Sequence, residues 1–177
     1  GESLSFENLL YAMLLPSAND AALAIAENYK GGEGGFIRKM NEKAISLHLY
    51  NTHFADSYGL DDSENYTTVV DLANLASVAI KNNIFSKIVS EKIKIISDAD
   101  NSNTYVLKNL NKLLGENGVN GIKTGYTDEA GGVLVTSTMQ GNHRLIIVVV
   151  KSDDRFLDTL KLLFDLKGLL MSPSRNK

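Results

Sequence analysis

The sequence contains no cysteine and only three histidines among its 177 residues. Without cysteine there are no disulfide bonds and no thiolate metal sites, which fits either a reducing compartment or a cell-surface protein that folds without bridges. The histidines, His48, His53 and His143, are scattered and show no short metal-ligand spacing. We therefore expect no structural metal and no cofactor.

The sequence also lacks a basic cluster and a long apolar run. The net charge is −3, and without a lysine- and arginine-rich face to follow a phosphate backbone we expect no nucleic-acid partner. No apolar run approaches about 18 residues, the length expected of a membrane-spanning helix. The chain begins at Gly1 rather than at methionine. We interpret it as a piece of a longer protein, so the missing signal peptide carries little weight.

The order of the patterned segments predicts helices first, then strands, then one closing helix. Helical spacing of apolar or small residues predicts helices over residues 6–15, 20–30, 36–47, 68–80 and 84–89. Alternating or β-branched runs predict strands at 91–97, 131–138 and 144–150, and a closing helix from Ser152. We therefore predict one α+β domain over residues 1–167, with a helical part at about 5–90 and an antiparallel sheet with the closing helix at about 91–167. Residues 168–177 are expected to form a disordered tail.

Local signals refine this prediction. Ser5 should cap the first helix, and Thr68 should cap the fourth with Asp71 completing a capping box. A glycine-rich stretch over 31–35 should separate the second and third helices. Two apolar stripes should face the core, namely Val69, Leu72, Ala73, Ala76 and Ile80 in the fourth helix and Phe156, Leu157, Leu160, Leu163 and Phe164 in the last.

The tripeptide Lys123-Thr124-Gly125 lies in a stretch that leads into the predicted hairpin. An exposed strand edge offers backbone groups to an extended peptide. The Lys123 ammonium and the Thr124 hydroxyl can hold a carboxylate by charge-assisted hydrogen bonds, and Gly125 lets a ligand approach the backbone closely. Taken alone, so short a motif is better explained as an ordinary turn entering a strand.

A second polar motif, Ser17-Ala18-Asn19, lies in the loop between the first two helices. Serine and asparagine are preferred N-cap residues, so on the residues alone helix capping is the simpler interpretation. His48 and His53 are candidate catalytic bases, but neither has an acid and a nucleophile nearby in a recognisable motif. We interpret both as packing or surface residues.

Together, Ser17-Ala18-Asn19 and Lys123-Thr124-Gly125, about a hundred residues later, resemble two of the three motifs of the active-serine penicillin-recognising enzymes. The surrounding sequence resembles the low-molecular-weight D-alanyl-D-alanine carboxypeptidases over about residues 5–166. The similar segments are Leu9–Ala22, Asn51–Phe54, Gly59–Leu60, Thr67–Ala73, Asn109–Leu114 and Gly121–Thr127. The resemblance implies a β-lactamase/transpeptidase-like fold and favours a functional over a capping role for Ser17 and Asn19.

The resemblance also implies a role for each motif residue in a serine peptidase of peptidoglycan stem peptides that is acylated by β-lactams. Ser17 would relay a proton near the nucleophile, and Asn19 would bind the backbone amide of the substrate. Lys123 would hold the terminal carboxylate, and the backbone N–H of Tyr126 would be one of two oxyanion donors. The implied substrate-binding residues are Thr124, Gly125, Tyr126 and Thr127. The parent protein would work in the cell envelope, at the outer face of the cytoplasmic membrane.

The nucleophile motif of that family has no counterpart in a suitable place. It is Ser-x-x-Lys at the start of a buried apolar helix, upstream of Ser-x-Asn. Only Ser174-Arg175-Asn176-Lys177 matches it literally, in a polar stretch with no apolar helix after it. We therefore expect a chain that lacks the nucleophile, its lysine base and the first strands of the sheet, and that is inactive alone.

Two other functions stay open at this point. The fold could serve a non-catalytic cell-wall or partner-binding module, and a related β-lactamase or transpeptidase could carry the same two motifs. A missing buried helix should leave an apolar groove lined by the helices over Leu9–Leu15 and Ala21–Ala26. Exposed apolar surface of this kind favours self-association, so we expect an oligomer unless the groove is filled.

Overall fold

The computed structural model describes residues 1–171, which form six helices and five strands. In chain order these are α1 (Phe6–Leu14), α2 (Asn19–Glu27), α3 (Gly32–Ser46), α4 (Val69–Ala79), α5 (Asn83–Ser90), β1 (Ile93–Ser97), β2 (Thr104–Lys108), β3 (Val119–Thr127), β4 (Gly131–Gln140), β5 (His143–Ser152) and α6 (Arg155–Met171). The predicted α+β class is confirmed. Helix α6 runs through position 168, where the tail was predicted to begin. Residues 172–177, with the Ser174–Lys177 match, lie outside the described residues.

The strands form two antiparallel sheets instead of the single sheet expected. Strands β3, β4 and β5 lie side by side in that order, so β3, which carries Lys123, is at an edge of this sheet. The Lys-Thr-Gly motif thus lies on an edge strand, although no strand was predicted over residues 119–127. Strand β1 pairs with β2 in a separate two-stranded sheet. Strand β2 was not predicted. It has only five residues and buries Leu107 alone, so the short run carries little of the alternation that marks a strand.

Side-chain caps begin α1 and α4 where the sequence predicted them. The Ser5 hydroxyl accepts a hydrogen bond of 3.1 Å from the Asn8 N–H, and the Thr68 hydroxyl accepts one of 3.2 Å from the Asp71 N–H. The second half of the predicted capping box is wrong. The Asp71 carboxylate accepts from the Asn51 N–H at 2.9 Å and the Thr52 hydroxyl at 2.8 Å. Asp71 is buried, and it therefore fastens the loop that follows α3 to the start of α4.

The glycine-rich stretch joins α2 to α3 differently from the prediction. Helix α3 already begins at Gly32, so most of these glycines form its first turn instead of an extended break. Gly31 and Gly32 adopt positive φ values of 88° and 63°, which glycine tolerates without strain. A Cβ on Gly35 would collide with the Lys30 carbonyl oxygen. The glycines thus allow the backbone at the start of α3 to pack against the preceding turn.

Three apolar clusters form the core. One joins α1, α2 and α5 to the two-stranded sheet, one lies between the three-stranded sheet and α6, and one lies between that sheet and α4–α5. Three predicted core positions are wrong, because Val69, Leu157 and Phe164 are 42%, 48% and 79% exposed. Helix α6 turns Thr159 and Leu163 towards the sheet. Leu157 and Phe164, seven residues apart, share another face of the helix.

Candidate active site

The structure brings the two sequence motifs into direct contact. The Lys123 Nζ on β3 donates a hydrogen bond of 2.7 Å to the Ser17 Oγ, which lies 106 residues earlier in the loop between α1 and α2. The same ammonium donates a second hydrogen bond of 2.8 Å to the Thr124 carbonyl oxygen. These two bonds fix the lysine head group over the loop that holds Ser17. The site is therefore built from the first loop of the chain and the edge strand of the main sheet.

Ser17 does not cap helix α2. The N-cap residue is Ala18, with no side-chain capping hydrogen bond, and the helix begins at Asn19. Ser17 itself has φ = 62°, a left-handed conformation that a non-glycine residue adopts at a free-energy cost. The Ala18 N–H donates to the Ala12 carbonyl at 3.0 Å, which holds the tight turn in place. The capping interpretation is thus wrong for Ser17, whose hydroxyl faces Lys123.

Asn19 is exposed, and its side chain makes no hydrogen bond within residues 1–171. It is the first residue of α2, two positions after Ser17. The amide group is therefore available to a ligand, although it does not touch the Ser17–Lys123 pair. Its assigned role in binding a substrate amide stays a prediction.

Lys123 is an unusual lysine because its ammonium is largely removed from water and has no acidic partner among the described residues. Burial, the larger cause, and the nearby positive charge of Arg155 together lower the pKa of Lys123 from 10.5 to about 8. At pH 7 a lysine with that pKa is still mostly charged. At neutral pH the site therefore offers the Lys123 cation to an anionic ligand. At mildly alkaline pH a substantial fraction of the Lys123 side chain is a neutral amine.

Arg155 is a site residue that the sequence did not reveal. It starts α6, its guanidinium lies 5.0 Å from the Phe156 ring, and its Nε is buried without a hydrogen-bond partner in the described part of the chain. Two cations, Lys123 and Arg155, thus act on one region of the sheet. A carboxylate placed there would be stabilised by both charges. The only sequence signal was an arginine directly after the hairpin, which matches no motif.

The remaining predicted residues follow one another along β3. Thr124 is only 6% exposed, whereas Tyr126 is 66% exposed. A Cβ on Gly125 would meet Val133 at 3.6 Å, an ordinary contact, so no protein neighbour requires glycine at this position. Thr127 accepts a hydrogen bond of 3.1 Å from the Ala130 N–H, so its hydroxyl takes part in the β3–β4 turn. The substrate-binding roles of these residues stay predictions.

Two depressions adjoin the site. A cleft of about 490 Å³ follows the end of β3 and is lined by Gly125, Tyr126 and Thr127 on one side and the loop around Leu60 on the other. A larger groove of about 1100 Å³ runs between α1 and α2. Its apolar lining includes Leu9, Ala12, Ala21, Ala24, Ile25 and Phe36. The position of the larger groove agrees with the one expected from the sequence.

His48 and His53 take part in local surface contacts away from this site. The His48 Nδ1 lies 2.8 Å from the Tyr50 hydroxyl, and the His53 Nδ1 lies 2.7 Å from the Glu64 carbonyl oxygen. His53 also stacks on Tyr66 at 5.8 Å. The prediction that they are packing or surface residues is confirmed.

Neither a metal cluster nor a membrane helix is evident in the described residues. Over residues 1–171, no three His, Asp or Glu side chains are grouped so that they could hold a metal ion. None of the helices in that range is long and apolar enough to cross a membrane.

Comparison with known proteins identifies close relatives. The family model described as D-alanyl-D-alanine carboxypeptidase matches residues 1–154. The chain is 35% identical over 150 residues to D-alanyl-D-alanine carboxypeptidase DacF of Bacillus subtilis, covering 84% of this chain and 38% of that protein. It is 36% identical over 163 residues to the D-alanyl-D-alanine carboxypeptidase of a Streptomyces species, covering 86% of this chain and 56% of the relative.

A solved structure shares the fold. The crystal structure of a Streptomyces DD-transpeptidase superimposes with a TM-score of 0.83 at 36% identity, covering 90% of this chain and 66% of the other. The chain thus spans between about two fifths and two thirds of the length of these relatives. The α+β architecture with antiparallel sheets and flanking helices is that of the DD-transpeptidase.

Proposed function

The chain belongs to the D-alanyl-D-alanine carboxypeptidase family, and we propose that it forms the substrate-binding part of a serine peptidase that removes the terminal D-alanine from peptidoglycan stem peptides. The observation that carries this proposal is the 2.7 Å hydrogen bond between Lys123 and Ser17. It joins the two family motifs at the free edge of β3, where a peptide can add as a further strand.

The terminal carboxylate of the substrate is the group that this site suits best. Lys123 is mostly charged at neutral pH and has no carboxylate partner of its own in the described residues. The Arg155 Nε is buried without a hydrogen-bond partner in residues 1–171, which indicates a second cation able to take up a carboxylate. A carboxylate held there by Lys123 and the Thr124 hydroxyl would relieve part of the desolvation of both cations.

The scissile peptide would then lie along β3. Antiparallel strand addition directs the residues before the carboxylate towards Gly125 and Tyr126, and so towards the adjoining cleft. In this arrangement the Tyr126 N–H donates to the oxyanion, Asn19 binds a substrate amide, and the Ser17 hydroxyl passes a proton between Lys123 and the reacting groups. β-Lactams would bind at the same place.

The acylated serine of this peptidase comes from polypeptide outside residues 1–171. No Ser-x-x-Lys lies at the start of a helix in the described chain, and nucleophilic catalysis needs a serine within hydrogen-bond reach of its base. The apolar groove between α1 and α2 is a suitable binding surface for a helix that carries this motif. Without that helix the chain has no carboxypeptidase activity.

An unfilled groove also has a consequence for assembly. Its exposed apolar lining includes Phe6, which is 64% exposed. We expect two copies of the isolated chain to cover each other at this face. Size-exclusion chromatography with light scattering should show an oligomer that dissociates when the groove is blocked, and a monomer at all concentrations would contradict this expectation.

We also propose that the parent protein works in the cell envelope, at the outer face of the cytoplasmic membrane, because the proposed peptidoglycan substrate lies there. Hydrolysis and transpeptidation differ only in whether water or an amine accepts the acyl group. The similarity to a DD-transpeptidase structure makes transfer a second candidate reaction. A product assay with and without an added amine acceptor distinguishes the two.

A binding experiment on the isolated chain tests the substrate assignment. A peptide ending in D-Ala-D-Ala should bind at least tenfold more tightly than the same peptide with a C-terminal amide, because the amide removes the charge that Lys123 recognises. Lys123→Met should abolish the difference. Lys108→Met, which removes an exposed lysine on β2, is the matched control and should preserve it. Equal binding of both peptides by the unmodified chain would refute the assignment.

A further inference from the structure

Ser17 and Lys123 bring a hydroxyl and an amine of this chain into direct contact at 2.7 Å. We propose that the isolated chain uses them to hydrolyse small activated esters, with Ser17 as the nucleophile and Lys123 as the general base. This activity differs from the proposed carboxypeptidase reaction, in which Ser17 only passes protons. It requires no residue from outside the chain.

The contact geometry is the first support. The Ser17 Oγ and the Lys123 Nζ are 2.7 Å apart, which is the separation that proton transfer between a nucleophile and its base requires. Ser17 is only partly buried, so a small acyl donor can reach its oxygen. The pKa of Lys123, about 8 because of burial, gives a substantial neutral fraction of the amine at mildly alkaline pH.

The backbone around Ser17 is the second support. Ser17 has a strained φ of 62° and lies immediately before the nine-residue helix α2, whose N-cap Ala18 supplies no side-chain acceptor. In the described residues, the backbone N–H groups of Asn19 and Asp20 have no hydrogen-bond acceptor. Free N–H groups at a helix start, close to a nucleophile, can stabilise the oxyanion that forms as the ester is attacked.

The proposed reaction balances in two steps. The neutral Lys123 amine takes the proton from the Ser17 hydroxyl while the oxygen attacks the ester carbonyl carbon. The new C–O bond forms, the alcohol or phenol leaves as its anion, and the proton passes from Lys123 to solvent. A water molecule, deprotonated by Lys123, then attacks the acyl-serine, and Ser17 recovers its proton as the carboxylic acid is released.

The same chemistry does not extend to the D-Ala-D-Ala amide. An amine is a poor leaving group and must be protonated as it departs, which needs an aligned acid on the far side of the scissile bond. A peptide held with its carboxylate at Lys123 also occupies the lysine that must act as base. Activated esters avoid both requirements because their leaving groups depart as anions.

The test uses p-nitrophenyl acetate with the unmodified chain and three variants. Ser17→Gly removes the hydroxyl and keeps the positive φ without strain, and Lys123→Met removes the amine. Ser77→Ala is the matched control, since the Ser77 hydroxyl lies on α4 and, within the described residues, bonds only to the Asn74 carbonyl. Release of p-nitrophenolate is followed from pH 6 to pH 10, and peptide mass mapping locates the acetyl group.

The expected result is an acetyl group on Ser17 and a rate that rises with pH to a plateau above a pKa of about 8. Ser17→Gly and Lys123→Met should each lose at least tenfold in rate, and Ser77→Ala should change nothing. Acetylation of lysines or of other serines, with none on Ser17, would overturn the proposal. The mapping is done on the unmodified chain, so this outcome holds whether or not a variant folds.

Discussion

The position of Lys123 makes the stability of this protein depend on pH in a way that one substitution should remove. The pKa of Lys123 is 10.5 in an unstructured chain and about 8 in the folded protein. Between these two values the unfolded state binds more protons than the folded state, so the free energy of unfolding rises as pH increases through this window. The full lowering of the Lys123 pKa, from 10.5 to about 8, corresponds to at most about 3 kcal/mol in the free energy of unfolding. Because the ammonium keeps some contact with water, we expect about 1–3 kcal/mol.

Urea unfolding of the unmodified chain and of Lys123→Met, measured at several pH values between 7 and 10.5, gives the comparison. Methionine has a similar length and does not titrate, so the unmodified chain should gain about 1–3 kcal/mol relative to Lys123→Met across this range. Lys108→Met replaces a lysine that is exposed on β2. Its free energy of unfolding should change with pH in the same way as that of the unmodified chain. If the free energy of unfolding of Lys123→Met changes with pH in the same way as that of the unmodified chain, the Lys123 amine is not desolvated in the folded protein and the description of the site is wrong.

Three further substitutions test other parts of the account. Ser17→Gly should be more stable than Ser17→Ala by about 1 kcal/mol in urea unfolding, because only glycine tolerates the positive φ at this position; equal stabilities would show that the turn is not strained. Asp71→Ala should lower the free energy of unfolding by about 1–3 kcal/mol, since it removes the buried carboxylate that accepts hydrogen bonds from the Asn51 N–H and the Thr52 hydroxyl; a smaller loss than for an exposed aspartate such as Asp61 would contradict this. Arg155→Met should raise the pKa of Lys123 towards 10.5, as measured by NMR of labelled lysine side chains; an unchanged pKa would remove Arg155 from the site.

The sequence predicted the fold best where one local signal dominates. The caps Ser5 and Thr68 and the β4–β5 hairpin are local features, and the structure has them at the predicted places. The errors occur where the outcome depends on distant partners. Asp71 is in sequence position for a capping box, but its carboxylate instead accepts from the Asn51 N–H and the Thr52 hydroxyl of the preceding loop. Phe164 fits an apolar stripe by spacing, although the sheet reaches only the face of α6 that carries Leu163.

At the candidate site, too, local signals were informative only where the outcome did not depend on distant residues. Local rules assigned Ser17 to helix capping, and the family resemblance alone gave it a functional role. Its contact with Lys123 joins segments 106 residues apart, and no local pattern encodes such a contact. The sequence did not reveal Arg155 because its effect on Lys123 arises only after α6 folds against the sheet. The positive φ of Ser17 likewise depends on the whole turn between α1 and α2, so the residue itself did not predict it.

We propose that this chain binds and orients a D-Ala-D-Ala peptide and that the serine acylated by this peptide comes from polypeptide outside residues 1–171. The direct test measures release of D-alanine from a peptide ending in D-Ala-D-Ala, first with the chain alone and then with a polypeptide that carries the family's Ser-x-x-Lys helix. We expect no D-alanine from the chain alone, release from the complex, and loss of that release in Lys123→Met. Release of D-alanine by the chain alone, or none from a complex that has demonstrably formed, would contradict the account.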